Sequence, residues 1–100
     1  MSKITQSAKG EDCQVRLHGV CNFNSETVVW AHANGLAAGK GMGMKSPDAL
    51  GSYACSACHD VIDGRVHPRH LERHEIQLAF HEGHQRSFIK LLEKGLVKCA

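Results

Sequence analysis

The supply of soft ligands constrains this chain most: five cysteines and eight histidines stand among its 100 residues. A chain this short buries only about 60% of the surface it exposes when unfolded, so a single domain over residues 1–100 is expected and a second core is excluded. Only one Trp, one Tyr and three Phe contribute aromatic volume, and a core so thin needs a staple, either disulfides or a metal. The odd number of cysteines argues for metal. The opening Met1-Ser2-Lys3-Ile4-Thr5-Gln6 has no apolar run of a signal peptide, so a cytoplasmic protein is expected.

Twelve basic against ten acidic residues leave a formal charge of +2, too mild for a chain that grips nucleic acid by overall charge. Any such affinity has to be local. No stretch reaches the roughly 18 consecutive apolar residues of a membrane span, and no fixed-period repeat is present. A soluble globular module without a membrane partner is expected.

Residues 1–12 are polar and read as an arm holding a short helix. Between Cys13 and Cys21, Val15 and Leu17 alternate with Gln14, Arg16 and His18 before Gly19, which predicts a short strand and turn. Thr27, Val28, Val29, Trp30 and Ala31 form a β-branched and aromatic run ending at His32, the clearest strand in the sequence. Residues 33–47, with four glycines and a proline, predict a long loop. Leu50 to Ala54 predicts a second short strand, and Ser56 to about Asp63 a helix stopped by Gly64. The run from Pro68 to Lys94 predicts one long helix, or two parted at Gly83, closed by Gly95. Leu71, Leu78, Phe88, Ile89 and Leu92 share its expected packing face, bordered by His70, His74, His81 and His84. These histidines read as half-buried packing residues or a solvated edge, with a metal or phosphate site as the alternative.

Cys55 and Cys58 form a Cys-x-x-Cys knuckle, which wraps two thiolates round one tetrahedral ion. With Cys13 and Cys21 they make a four-cysteine structural zinc site, the longer first pair being accommodated by its own hairpin. Cys99 is left as a free terminal thiol. A redox use of Cys55 and Cys58 is disfavoured because no βαβ unit surrounds them. His59 and Asp63, four residues apart, fall on one helix face and can hold a second divalent cation with open positions. The plainer alternative is a surface His with a capping Asp. Lys40 and Lys45, in the glycine-rich loop, can contact a DNA backbone as point charges, although the spacing of a nucleotide-binding loop is absent.

Taken together, Cys13, Cys21, Val28-Val29-Trp30-Ala31-His32, Pro47-Asp48-Ala49-Leu50 and Cys55-Ser56-Ala57-Cys58-His59 resemble the HNH, or His-Me finger, endonucleases with a zinc frame. More narrowly, Glu11-Asp12-Cys13-Gln14-Val15-Arg16, Gly19-Val20-Cys21-Asn22 and Ala54-Cys55-Ser56-Ala57-Cys58-His59-Asp60 resemble the small prophage nucleases of the YbcO type, themselves similar to the phage nuclease Ref. The resemblance covers about residues 8–67 and implies an α+β fold, a zinc-stabilised ββα-metal unit followed by a C-terminal helical segment over about residues 68–95. It implies a metal-dependent DNA endonuclease. His32 then matches the general base, His59 and Asp63 the ligands of a catalytic Mg2+, Mn2+ or Zn2+, and Asp48 the residue that orients the base. The similarity to Ref adds a recombinase filament to DNA as an expected partner. Ala31 departs from the pattern, standing where many relatives of the wider superfamily carry a further ligand; water, phosphate oxygens or His67 would complete the shell. The alternative reading is a non-catalytic zinc-binding adaptor for nucleic acid or protein, with the HNH site decayed.

Overall fold

A computed structural model of the chain describes residues 3–32 and 49–97. The elements run in the order α1 (Lys3–Gln6), a 3-10 turn (Ser25–Thr27), β1 (Val29–His32), β2 (Gly51–Ala54), α2 (Ser56–Ile62) and α3 (Arg73–Glu93). This is a small α+β arrangement: two antiparallel strands, the helix that follows them, and a long C-terminal helix. The strands pair Val29 with Ala54, Trp30 with Tyr53, Ala31 with Ser52 and His32 with Gly51. Strand β1 starts later than Thr27, because the Asn24 side chain accepts the Glu26 amide at 3.0 Å and draws Thr27 into the turn.

An isolated two-stranded ribbon is marginal in water, so its faces must be covered. All four residues of β2 are buried. Trp30 meets Tyr53 edge to face with ring centroids 5.1 Å apart, a geometry that aligns the positive edge of one ring with the face of the other. The Tyr53 hydroxyl lies 2.7 Å from Ser7 Oγ and thereby ties the N-terminal arm to the sheet. Glu11 adds a second tie, meeting Lys94 at 2.9 Å and Lys90 at 3.4 Å. Burial pushes the Glu11 carboxyl up, but hydrogen bonding to Lys94 and the nearby charges hold it below its ordinary value.

Helix α3 begins at Arg73 rather than Pro68, because Glu72 and Glu75 close a reciprocal capping box. It runs unbroken through Gly83. Gly95, at φ +73°, ends it in the left-handed conformation, with the Leu96 amide returned to the Leu91 carbonyl at 3.0 Å.

The face that α3 buries matches the predicted one only in part: Phe88 and, just before the helix, Leu71 pack against the core. Leu78 and Ile89 are 60% and 56% exposed, whereas Ile76, Gly83, Ser87 and Leu91 are buried. The centre of the seam is small and polar, so hydropathy does not mark it. Ser87 Oγ accepts the Tyr53 amide at 3.0 Å and donates to the Gly83 carbonyl at 2.6 Å. A Cβ at Gly83 would stand 2.8 Å from Ser52 Oγ and 3.0 Å from the Gln14 carbonyl oxygen and Val15 Cα. Only glycine admits this approach. No helix of the described residues is long and apolar enough to cross a membrane.

Gly83→Ala in an open helix position would stabilise by about 1 kcal/mol. Here overpacking of about 1–3 kcal/mol opposes it, so G83A should lower the thermal midpoint and G83V should lower it further. Thermal unfolding checks this, and a raised midpoint for G83A would contradict the packing.

Candidate metal centre and adjoining active site

Residues 13–21, predicted as a strand and turn, form bends and a turn with no strand. Sulfur supplies the reason. Arg16 adopts φ +53°, which turns its amide onto Cys13 Sγ at 3.5 Å. Phe23 adopts φ +54°, and its amide serves Cys21 in the same way. These are the two non-glycine residues with positive φ among those described, a conformation that disfavours side chains. Both therefore serve the thiol cluster rather than a sheet.

Cys55 completes the other half as N-cap of α2, its sulfur accepting the Cys58 amide at 3.4 Å. Asn22 Nδ2 reaches Thr27 Oγ1 and Ser56 Oγ, each at 3.3 Å, and joins the Cys21 side to the start of the helix. The sulfur atoms of Cys13, Cys21, Cys55 and Cys58 all lie within 4.8 Å of one another. Cys21 and Cys55 are 3.8 Å apart, too far for a disulfide. A tetrahedron of metal–sulfur bonds of about 2.3 Å has edges of about 3.8 Å. The donor set fits a metal ion.

The protons tell the same story. Cys58 donates its thiol hydrogen to Cys13, which with the surrounding amides brings the Cys13 thiol down to about 4 against the opposing effect of burial. Cys58 is driven well above its ordinary value by that same hydrogen bond and then by burial. Burial, followed by the neighbouring sulfurs, pushes Cys21 up to about 11. One thiolate forms readily, and further negative charge requires a compensating cation.

Helix α2 carries His59 one turn beyond its sulfur cap. Its Nε2 lies 3.0 Å from Asp63 Oδ2, and both side chains are 29% exposed. Neighbouring donors on an ion with bonds of about 2.1 Å stand about 3.0 Å apart, so this pair fits two adjacent positions of a divalent cation. His67 does not supply a third: among the described residues, the groups with three or more ligand atoms mutually within 4.8 Å are the four thiols and the exposed Glu72, His74 and Glu75. Arg65, which belongs to none of the sequence motifs, meets Asp63 Oδ2 at 3.2 Å and Asp60 Oδ1 at 2.9 Å. The close spacing of Asp60, Asp63 and Arg65 is the signal for this cluster in the sequence.

His32 stands half-buried at the end of β1, paired with Gly51. His84 of α3 donates through Nδ1 to the Gly51 carbonyl at 2.8 Å. The C-terminal helix thus reaches the hairpin end that carries His32. His70 meets the His18 carbonyl at 2.7 Å, while His74 is exposed beside Glu72 at 3.3 Å. Lys40, Lys45, Asp48 and Cys99 lie outside the described residues.

An antiparallel strand pair, a helix capped by sulfur and a four-thiol cluster placed to hold a metal ion define a small α+β domain. A protein-family model described as "Putative nuclease YbcO" matches residues 2–96. "Putative nuclease YbcO" of Escherichia coli (strain K12) and "Putative nuclease ybcO" of Enterobacteria phage 82 are each 41% identical to the chain over 98 residues, 98% of this chain and 99% of theirs. A solved structure described as "Structure of a putative bacteriophage protein from Escherichia coli str. K-12 substr. MG1655" matches with a TM-score of 0.76 at 38% identity, over 91% of this chain and 98% of that one. The chain belongs to the YbcO family.

Elemental analysis of the purified chain should find one tightly held divalent metal ion, lost in Cys58→Ser together with the cooperative unfolding transition. Retention of both by C58S would contradict a four-thiolate centre.

Proposed function

We propose that this chain is a metal-dependent DNA endonuclease of the HNH type, encoded by a phage or prophage and linked to recombination. The observation that carries the reading is the 3.0 Å approach of His59 to Asp63 on a helix that follows two antiparallel strands and is capped at its other end by the thiol cluster. The descriptions of the relatives, each printed as "Putative nuclease", one bacterial and one from a phage, support a nuclease reading. In this reading Cys13, Cys21, Cys55 and Cys58 hold zinc as a structural ion, and His59 and Asp63 hold the catalytic one.

His32, at the end of β1, takes the proton of the attacking water, because neutral water is a weak nucleophile and imidazole is basic enough near neutral pH. Asp48 orients that imidazole. Lys40 and Lys45 attract the DNA backbone as point charges. The divalent ion, when bound, supplies positive charge toward the phosphate and the leaving 3′ oxygen. Hydrolysis leaves a 5′ phosphate and a 3′ hydroxyl.

One observation favours a second reading. Ala31 is 1% exposed, so the position that would supply a further ligand is committed to the core, as in an adaptor whose catalytic site has decayed.

Nicking of supercoiled plasmid with Mg2+ or Mn2+ separates the two. His32→Ala and His59→Ala should each slow nicking by about two to four orders of magnitude while keeping the structural ion. Wild type and H32A that bind DNA but are equally inert across cations and DNA forms would establish the adaptor.

A further inference from the structure

The connector between α2 and α3 carries charge that the fold does not use. With the first two residues of α3 it contains Arg65, Arg69, Arg73, His67, His70 and His74 against one carboxylate, Glu72, between Asp63 before it and Glu75 after it. Glu72 is already committed, accepting within the capping box and standing 3.3 Å from His74. Of the five arginines in the chain, Arg16 and Arg86 are tied to backbone carbonyls and Arg65 to Asp60 and Asp63. Arg69 and Arg73 are exposed and make no ion pair or hydrogen bond with the described residues. Two guanidinium groups on the surface are therefore available to an outside anion.

The placement of that segment gives it a direction. Gly64, at φ +81°, reverses the chain at the end of α2, and the Arg65 amide returns to the Asp60 carbonyl at 2.9 Å. The connector therefore starts at the Asp63 carboxylate that meets His59. It continues along a groove of about 320 Å³ lined by Val61, His67, Pro68, Leu71, Arg73 and Ile76. Val61 is two residues from His59 on α2, on the other side of that helix, so the groove lies about 10 Å, one helix width, from the candidate site. A cationic rim beside an apolar floor suits a polyanion whose charges are spaced along a chain with apolar faces between them. It does not suit an apolar peptide.

Resting on the nuclease reading, we propose that His67, Arg69 and Arg73 form a surface for the DNA backbone flanking the scissile bond, with Arg69 and Arg73 each neutralising one phosphate. Guanidinium groups match phosphate through paired N–H donors, so contacts of this kind fix the strand without reading its bases. This places the main electrostatic hold on DNA in the connector, in addition to Lys40 and Lys45.

The test is binding of a fluorescein-labelled DNA duplex by the metal-replete chain, measured by anisotropy without added Mg2+ or Mn2+ across a series of salt concentrations. Removing one phosphate-neutralising side chain should reduce the slope of log K against log salt by about 0.9. R69Q and R73Q should each show that reduction and the double variant about 1.8, with R69K/R73K restoring the slope and K9Q, on the N-terminal arm, leaving it unchanged. Structural-ion content and circular dichroism establish that the variants fold. A double variant with the wild-type slope, in a chain that still nicks plasmid, overturns the surface and leaves the nuclease reading standing. A wild-type chain that neither binds nor cuts DNA overturns both.

Discussion

Four sulfur atoms drawn within 4.8 Å of one another are the constraint on which the rest of this chain is arranged. Their owners come from two stretches of sequence with β1, β2 and an intervening segment between them, so the cluster closes the molecule over the sheet. Local conformation yields to it. Arg16 and Phe23 accept left-handed backbone so that their amides face sulfur, and Cys55 caps α2 with its thiol where serine or aspartate usually serves. Hydrogen-bonded thiols stabilise one negative charge at Cys13 and resist the next at Cys58 and Cys21, which couples closure of the frame to a cation.

The second organising contact is the close seam between α3 and β2. Gly83 and Ser87 let the helix backbone approach the strand, and Ser87 answers a strand amide directly. That approach brings His84 to the Gly51 carbonyl, opposite His32. The C-terminal helix therefore braces the hairpin end at which the proposed base stands, while the sulfur frame fixes the helix that carries His59 and Asp63.

Much of this is legible from local chemistry. The Cys55–Cys58 spacing, the separation of His59 from Asp63, and Gly64 and Gly95 as helix stops are short-range patterns whose geometry is set within one or two turns. The expectations that fail involve partners distant in sequence or rival local signals. Val15 and Leu17 alternate like a strand, yet sulfur claims the amides of that segment. Leu78 and Ile89 look like a packing face, yet the helix buries a glycine and a serine because β2 lies close against them. Pro68 looks like a helix start, yet the reciprocal cap of Glu72 and Glu75 sets it at Arg73. Arg65 belongs to no motif, and only its close spacing to Asp60 and Asp63 marks it, the contacts themselves forming where α2 ends and the chain turns back at Gly64.

The frame and the candidate site share a single short helix, so a metal ion at the thiols should decide whether His59 and Asp63 are presented together. Amide hydrogen exchange of residues 56–62 in the fully reduced chain, followed as a divalent metal ion is added to the metal-free protein, tests this most directly. Protection of these amides should be absent without metal and should appear in full with the first equivalent. Equal protection in the reduced, metal-free chain would show that the helix stands without the sulfur-bound ion and would contradict the dependence.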